Sequence, residues 1–295
     1  MISVVGEALI DVLATDGAPP VVRPGGSPLN VAVGLGRQGV PVALLTRFGA
    51  DPDGDVLAAH LRDSGVDLVG DPRDDLPTST ATARLDPSGT AEYTFRLDWR
   101  IPDEPLPETT TCLHTGSLAA CLAPGADRVL DLLREWHGRA VISYDPNIRP
   151  SLMGDPAAAR QRVDECAALA DVVKASADDI AWLHPELPVD QVAAGWLTLG
   201  PSLVVVTRGA KGATGYLADG TVPQAAVPVE VVDTVGAGDA FTSGLLTGLH
   251  ARDLLTREAL GSLTPFQLAP ALADAAASAA ATCARPGADP PHPSR

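Results

Sequence analysis

Two lysines, two asparagines and four cysteines are all that 295 residues hold of those types. Basic residues are also scarce: 21 Lys and Arg stand against 37 Asp and Glu, a formal net charge of −16. Such a chain repels a nucleic-acid backbone and an anionic bilayer, so neither is expected as a partner. A local pocket can still take a small anion. No uninterrupted apolar run reaches the roughly 18 residues of a membrane span. Residues 1–7 carry no basic leader, so no signal peptide is expected and the cytoplasm is the expected compartment. Cys112, Cys121, Cys166 and Cys283 form no C-x-x-C pair and read as reduced, mostly buried thiols. The six histidines show no ligand spacing, which argues against a structural zinc site. P-loop, G-x-S-x-G and H-E-x-x-H motifs are absent.

What is present is an alternation of strand-length and helix-length apolar patterns. Strands are expected at 2–5, 42–48, 111–114, 140–144, 171–174 and 203–207. Helices are expected at 29–38, 53–64, 126–137, 156–170 and 189–199. This rhythm implies βαβ units, hence an α/β class with a mainly parallel sheet covered on both faces. Two stretches break it. Residues 81–85 and 91–97 alternate around Asp86-Pro87-Ser88-Gly89, a hairpin signal. Residues 12–24 are extended and rich in Pro and Gly. A small β-layer outside the main sheet would accommodate both. An Ala-rich helix is expected over 268–284, and no internal repeat is found.

Four constellations can carry chemistry. The first is Asp233-Thr234-Val235-Gly236-Ala237-Gly238-Asp239, between a strand-like run at 229–232 and a helix at 240–250. Its small residues let backbone N–H groups converge on an anion at a helix N-terminus. Asp239 could then accept a proton beside a bound phosphate. A turn with an Asp N-cap is the plainer alternative. The second is Gly25-Gly26-Ser27-Pro28-Leu29-Asn30, where paired glycines permit close approach and the Asn30 amide can both donate and accept. The third is Asp11, expected near a strand's carboxyl end, where open α/β sheets bind ligands. The fourth is Asp145-Pro146-Asn147-Ile148-Arg149, in which Arg149 can fork onto a phosphate. Both asparagines of the chain fall in these motifs, and Lys174 and Lys211 fall at or near expected strand ends. By contrast, Gly34-Leu35-Gly36-Arg37-Gln38-Gly39 matches G-x-G-x-x-G but ends a helix, so a dinucleotide site is not expected there.

The two glycine motifs, about 200 residues apart, resemble the N- and C-terminal signatures of the ribokinase-like (PfkB-type) carbohydrate kinases. The resemblance covers nearly the whole chain. It implies a single domain over 1–295: a three-layer α/β/α sandwich with a small β-sheet lid formed by about 12–24 and 78–100. It also implies residue roles. Asp239 would be the base, and the N–H groups of Gly236, Ala237 and Gly238 would stabilise the transferring phosphoryl group. Asp11, Gly25, Gly26, Asn30, Asn147 and Arg149 would bind the sugar. Lys174, Ser176, Thr207, Gly209 and Gly212 would join Gly236 and Gly238 at ATP. Magnesium would arrive with the nucleotide, with Asp179 as its carboxylate, acting through water. A monovalent cation such as potassium and a homodimer formed through the lid are further expectations.

Two places depart from the family pattern. Ser176 stands where the N-x-x-E motif has Asn, and the stretch 97–101 lacks the small residues expected of fructokinases. The segments 25–28, 114–117 and 145–149 nevertheless look most like the fructokinase branch. The implied activity is ATP-dependent phosphorylation of a sugar's primary hydroxyl, fructose first. Alternatives are a 2-keto-3-deoxygluconate kinase, a ribokinase-type kinase of another sugar, or a non-catalytic binding regulator.

Overall fold

A computed structural model describes residues 1–15, 19–85 and 91–290. The chain begins with β1 (Ile2–Val5), β2 (Leu9–Thr15), β3 (Val21–Gly25), α1 (Ser27–Arg37) and β4 (Val42–Leu45). There follow β5 (Phe48–Gly49), α2 (Pro52–Asp63), β6 (Val66–Leu68), β7 (Arg73–Asp74), β8 (Thr80–Leu85) and β9 (Ala91–Arg96). The middle alternates: β10 (Cys112–Gly116), α3 (Ser117–Cys121), α4 (Gly125–Trp136), β11 (Val141–Asp145), α5 (Pro150–Met153), α6 (Pro156–Leu169) and β12 (Val172–Ser176). It continues with α7 (Ala177–Leu183), α8 (Val189–Leu197) and β13 (Leu203–Thr207), and then β14 (Ala213–Leu217) and β15 (Gly220–Gln224). Helices α9 (Ala237–His250), α10 (Arg257–Gly261) and α11 (Pro265–Cys283) complete it.

Nine strands form one sheet in the order β15-β14-β13-β12-β11-β10-β1-β4-β6. It is parallel from β13 to β6 and antiparallel at β14 and β15. The central strands are buried on both faces, which is why they read as unbroken apolar runs. Successive residues feed opposite cores. Ile2, Val4, Val42, Leu44, Leu203 and Val205 pack with α1, α9 and α11, while Val5, Ala43, Leu45, Val204 and Val206 pack with α4, α6 and α8. The result is the expected three-layer sandwich. Every parallel strand delivers its carboxyl end to one rim, which brings Gly116 beside Asp145 and Ser176 beside Thr207.

Above that rim stands a second sheet, β3-β2-β8-β9, with β2 and β8 parallel and the outer pairs antiparallel. The anticipated hairpin is β8–β9, and its turn at 86–89 lies outside the described residues, as do 16–18 of the extended stretch. Arg47 is buried at the root of this sheet. It pairs with the Asp74 carboxylate, and its Nη1 donates to the carbonyls of Pro77 (2.9 Å) and Asp98 (3.3 Å). Trp99 from the departing stretch 97–101 is buried there too, its Nε1 donating to the Ala119 carbonyl at 3.0 Å.

Three expectations need correction. The run 229–232 is not a strand, despite its β-branched residues. Val231 and Val232 are more than half exposed, and the N–H groups of Val232 and Asp233 go to the Cys283 carbonyl instead of a neighbouring strand. The strand at 42–48 divides: β4 ends at Leu45 and Phe48–Gly49 pairs separately with β7. Helix α9 starts at Ala237, three residues early, so Asp239 is not its N-cap.

Candidate active site

The N-cap of α9 is Gly236, in the left-handed region at φ 75°. A Cβ there would be strained and would meet Ala288 at 2.5 Å, so glycine is required twice over. Its conformation turns the chain sharply into the helix. The Ala237 N–H is taken by the Thr234 carbonyl at 3.2 Å, and the next first-turn N–H groups, of Gly238 and Asp239, have no carbonyl one turn back within the helix. Asp233 fixes the approach: Oδ1 accepts from the Val235 N–H at 3.0 Å and Oδ2 from the Gly287 N–H at 2.8 Å.

Asp239 is buried in that first turn. Ser27 Oγ donates to its Oδ1 at 2.7 Å, Asn147 Nδ2 reaches the same oxygen at 3.2 Å, and Asn30 Nδ2 donates to Oδ2 at 2.8 Å. Burial pushes the Asp239 carboxyl above the usual range; the bonds from Asn30 and Ser27 and the Lys174 charge oppose that rise. Ser27 and Asn30 lie on the first turn of α1, which enters from Gly26 at φ 103°. Asn147 also adopts a left-handed backbone, φ 38°, which asparagine tolerates better than most residues. Arg149 Nη1 donates to Asn147 Oδ1 at 2.6 Å and to its carbonyl at 2.9 Å.

Asp11 faces this corner from β2. A Cβ on Gly25 would overlap its Oδ2 at 2.1 Å, so Gly25 makes room for the carboxylate. Burial lifts Asp11 to about 6; Arg149 pulls it down and Asp239 pushes it up. Glu7, under Gly26, is buried and lifted to about 7 by desolvation, although its Oε2 accepts from the Ala119 N–H at 3.0 Å.

Beneath the first turn of α9 lies a buried ion pair, Lys174 Nζ to Asp145 Oδ2 at 2.8 Å. Thr242 Oγ1 adds a bond to the same oxygen at 3.2 Å. Burial alone would depress the ammonium, but the Asp145 charge and hydrogen bond outweigh it and hold Lys174 raised. A Cβ on Gly238 would lie 3.1 Å from Lys174 Nζ, which puts the ammonium directly against the N-terminal turn.

Asp179 serves the backbone. Its Oδ2 accepts from the Ser176 N–H and its Oδ1 from the Ile148 N–H, both at 3.0 Å, while Ser176 Oγ accepts from the Asp179 N–H at 2.9 Å. Ser176 and Asp179 thus form a capping box on α7. Thr207 and the turn Gly209–Lys211, which Gly212 terminates, stand at the same rim on the next strand. Arg208 turns away, to Asp190 (2.6 Å) and Tyr216 (2.8 Å). Among the described residues, no group of three His, Cys, Asp or Glu side chains is arranged to hold a metal, and no helix is long and apolar enough to cross a membrane.

The structure therefore gathers Asp239, Asn30, Asn147, Arg149, Asp11, Gly25 and Gly26 in one corner, with Gly236, Ala237, Gly238 and Lys174 adjoining it. Ser176, Thr207, Gly209, Gly212 and Asp179 lie along the same rim. Sequence reasoning passed over Ser27, Asp145, Thr242 and Glu7. The first two stood inside quoted motifs. Their partners lie 212 residues away for Ser27 and 29 for Asp145, so only the folded chain shows the contact.

Comparison with known proteins fits this geometry. The profile of the pfkB family carbohydrate kinases matches residues 1–295. A fructokinase from Rhizobium leguminosarum bv. trifolii is 37% identical over 278 residues, 89% of this chain and 84% of that protein. A solved fructokinase with bound ATP from Xylella fastidiosa superposes with a TM-score of 0.84 at 27% identity, covering 98% of this chain and 94% of its own. A double mutant of the Vibrio cholerae fructokinase, in fructose-, ADP- and potassium-bound form, gives a TM-score of 0.81 at 26% identity over 98% and 93% of the two chains.

Proposed function

We propose D-fructose as the acceptor for this chain, which belongs to the pfkB family of carbohydrate kinases and is an ATP-dependent sugar kinase. The likeness to fructokinases supports fructose, and the observation that carries phosphoryl transfer is a buried carboxylate, Asp239, in the first turn of a helix that starts from the left-handed Gly236. As the primary hydroxyl oxygen of the sugar attacks the γ-phosphorus, its proton passes to Asp239. The bond from that phosphorus to the β-bridging oxygen breaks, and ADP leaves. The N–H groups at 236–238 and the Lys174 ammonium under them favour the negative charge on the transferring group. Asp11, Asn30, Asn147 and Arg149, with Gly25 and Gly26 giving access, are the groups we assign to the sugar hydroxyls. Ser176, Thr207, Gly209 and Gly212 we assign to the nucleotide.

Magnesium fits this donor set through water. Asp145 Oδ2 is filled by Lys174 and Thr242, but each Asp179 oxygen accepts a single N–H and retains a further lone pair for a metal-bound water. Bound with the nucleotide, the ion supplies neutralisation of phosphate charge. The potassium bound by the Vibrio relative supports a monovalent cation here as well. We read the chain as one domain whose small sheet serves as a lid, excluding water from the phosphoryl group. Leu13, Val21 and Val22 are exposed on that sheet, which supports pairing of two copies through it. With ATP as donor and four unpaired cysteines, the cytoplasm is the compartment this reading favours.

The test is ADP release with MgATP and D-fructose, D-ribose or 2-keto-3-deoxygluconate, side by side. Preference for fructose is expected. Preference for another sugar would overturn the acceptor while leaving the kinase assignment intact. Ligand binding without turnover on any acceptor would favour a regulator.

A further inference from the structure

The two oxygens of Asp239 are not equivalent. Oδ1 accepts Ser27 Oγ at 2.7 Å and Asn147 Nδ2 at 3.2 Å, which occupies both of its lone-pair positions; Oδ2 accepts Asn30 Nδ2 at 2.8 Å and keeps one. Ser27 is itself fixed, because its Oγ also accepts from Asn147 Nδ2 at 2.7 Å. The Asn147 amide is oriented in turn by Arg149 Nη1, which donates to its Oδ1 at 2.6 Å. A chain of directed bonds therefore runs from Arg149 through Asn147 and Ser27 to one oxygen of the carboxylate. Of the two partners of Ser27 Oγ, Asn147 Nδ2 can only donate, so the hydroxyl hydrogen goes to Asp239 Oδ1.

We propose that Ser27 is a positioning residue for the phosphoryl transfer: by donating to Oδ1 it saturates that oxygen, fixes the plane of the carboxylate, and leaves Oδ2 to receive the sugar's proton. The inference rests on Asp239 being the base. Ser27 lies in the first turn of α1, buried and following Gly26 in its left-handed conformation, so its hydroxyl is anchored by backbone as well as by partners. Other charges face the same carboxylate. Lys174 on β12 favours its ionised form, Asp145 on β11 opposes it, and Asp11 on β2 shares its field, with Arg149 acting on Asp11. Ser27 differs from these in being a neutral group bonded directly to the carboxylate. Its removal takes away a bond that the ionised form accepts and the protonated form does not need, so the ionised base becomes harder to keep.

The experiment is the pH profile of kcat at saturating fructose and MgATP for the wild type, Ser27→Ala, Ser27→Thr and Asp239→Asn. Saturation removes the contribution of Asp11 to binding, leaving the groups of the bound complex. Ser27→Ala is expected to move the acid limb up by about one pH unit, so that activity at a fixed pH on the limb falls about tenfold. Its high-pH rate is expected to stay below the wild type's, because the carboxylate plane is no longer fixed, and Ser27→Thr, which keeps the hydroxyl, to return both the limb and that rate toward their original values. A Ser27→Ala limb at the wild-type position, with activity lowered equally at every pH or not at all, would overturn the role of Ser27. Turnover retained in Asp239→Asn would instead remove the base assignment on which the inference stands.

Discussion

The two halves of the candidate site are built in opposite ways. The half we assign to the acceptor is made of side chains around a dry centre: Ser27, Asn30 and Asp239 are each about 5–6% exposed, and their polar atoms already bond to one another. The half we assign to the nucleotide is built largely of backbone and is open. Its nest is three small residues, and beside it Val231, Val232 and Val235 stand more than half exposed. The contrast has a physical logic. A small sugar offers few contacts, so groups that recognise it must be oriented beforehand, in a low dielectric where a misplaced hydrogen bond is costly. A triphosphate carries its own strong charge and needs mainly N–H groups and a cation near its path. Damage to the first half should therefore appear in chemistry or in folding, and damage to the second in the KM for ATP together with kcat, leaving the KM for fructose little changed.

Asp239→Asn breaks the contrast most severely. It keeps the shape of the corner and removes the proton acceptor, so kcat should fall about 10²–10⁴-fold, read in a coupled ADP assay.

The next effect is on stability. Glu7 lies in the dry half, with its carboxyl lifted to about 7 from an ordinary value of 4.5. Between those values the folded state binds the proton and the unfolded state has released it. Stability is therefore fully present below about 4.5 and declines as pH rises through about 7. Glu7→Gln should remove that decline, a difference on the order of 3 kcal/mol at pH 8. Urea denaturation at pH 5 and pH 8 checks it, and equal slopes for the two proteins would show that Glu7 is not in the dry environment described.

The smallest effect belongs to the open half. Gly236→Ala forces φ 75° on a residue with a Cβ and crowds Ala288. The KM for ATP should rise and kcat should fall, together lowering kcat/KM for ATP roughly tenfold, while the KM for fructose stays within a few-fold. Steady-state titration of each substrate separates the two, and an equal change in both would dissolve the division of the site.

How far the sequence reveals this molecule depends on where its contacts are. Strands such as Leu203–Thr207 are legible because burial on both faces demands an unbroken β-branched run. Gly220–Gln224 is not, since an edge strand tolerates Pro223 and Gly220 and shows no alternation. The run 229–232 has the composition of a strand but no neighbour to pair with, and propensity alone did not make it one. At the candidate site, motifs singled out Asp239, Asn30, Asn147 and Arg149, which the fold brings into mutual contact, because turn and cap chemistry is local. The early start of α9 was hidden because the left-handed Gly236, not an aspartate, caps it. The bond from Ser27 to Asp239 and the buried pair of Lys174 with Asp145 were hidden because they join separate motifs across the fold.

The most direct test of the account is to titrate Asp239→Asn with fructose and with ATP by calorimetry, alongside its turnover. If Asp239 is the base at the junction of two separately built halves, both ligands should bind within several-fold of the wild type while turnover is lost. Turnover near the wild-type rate in that variant would contradict the account.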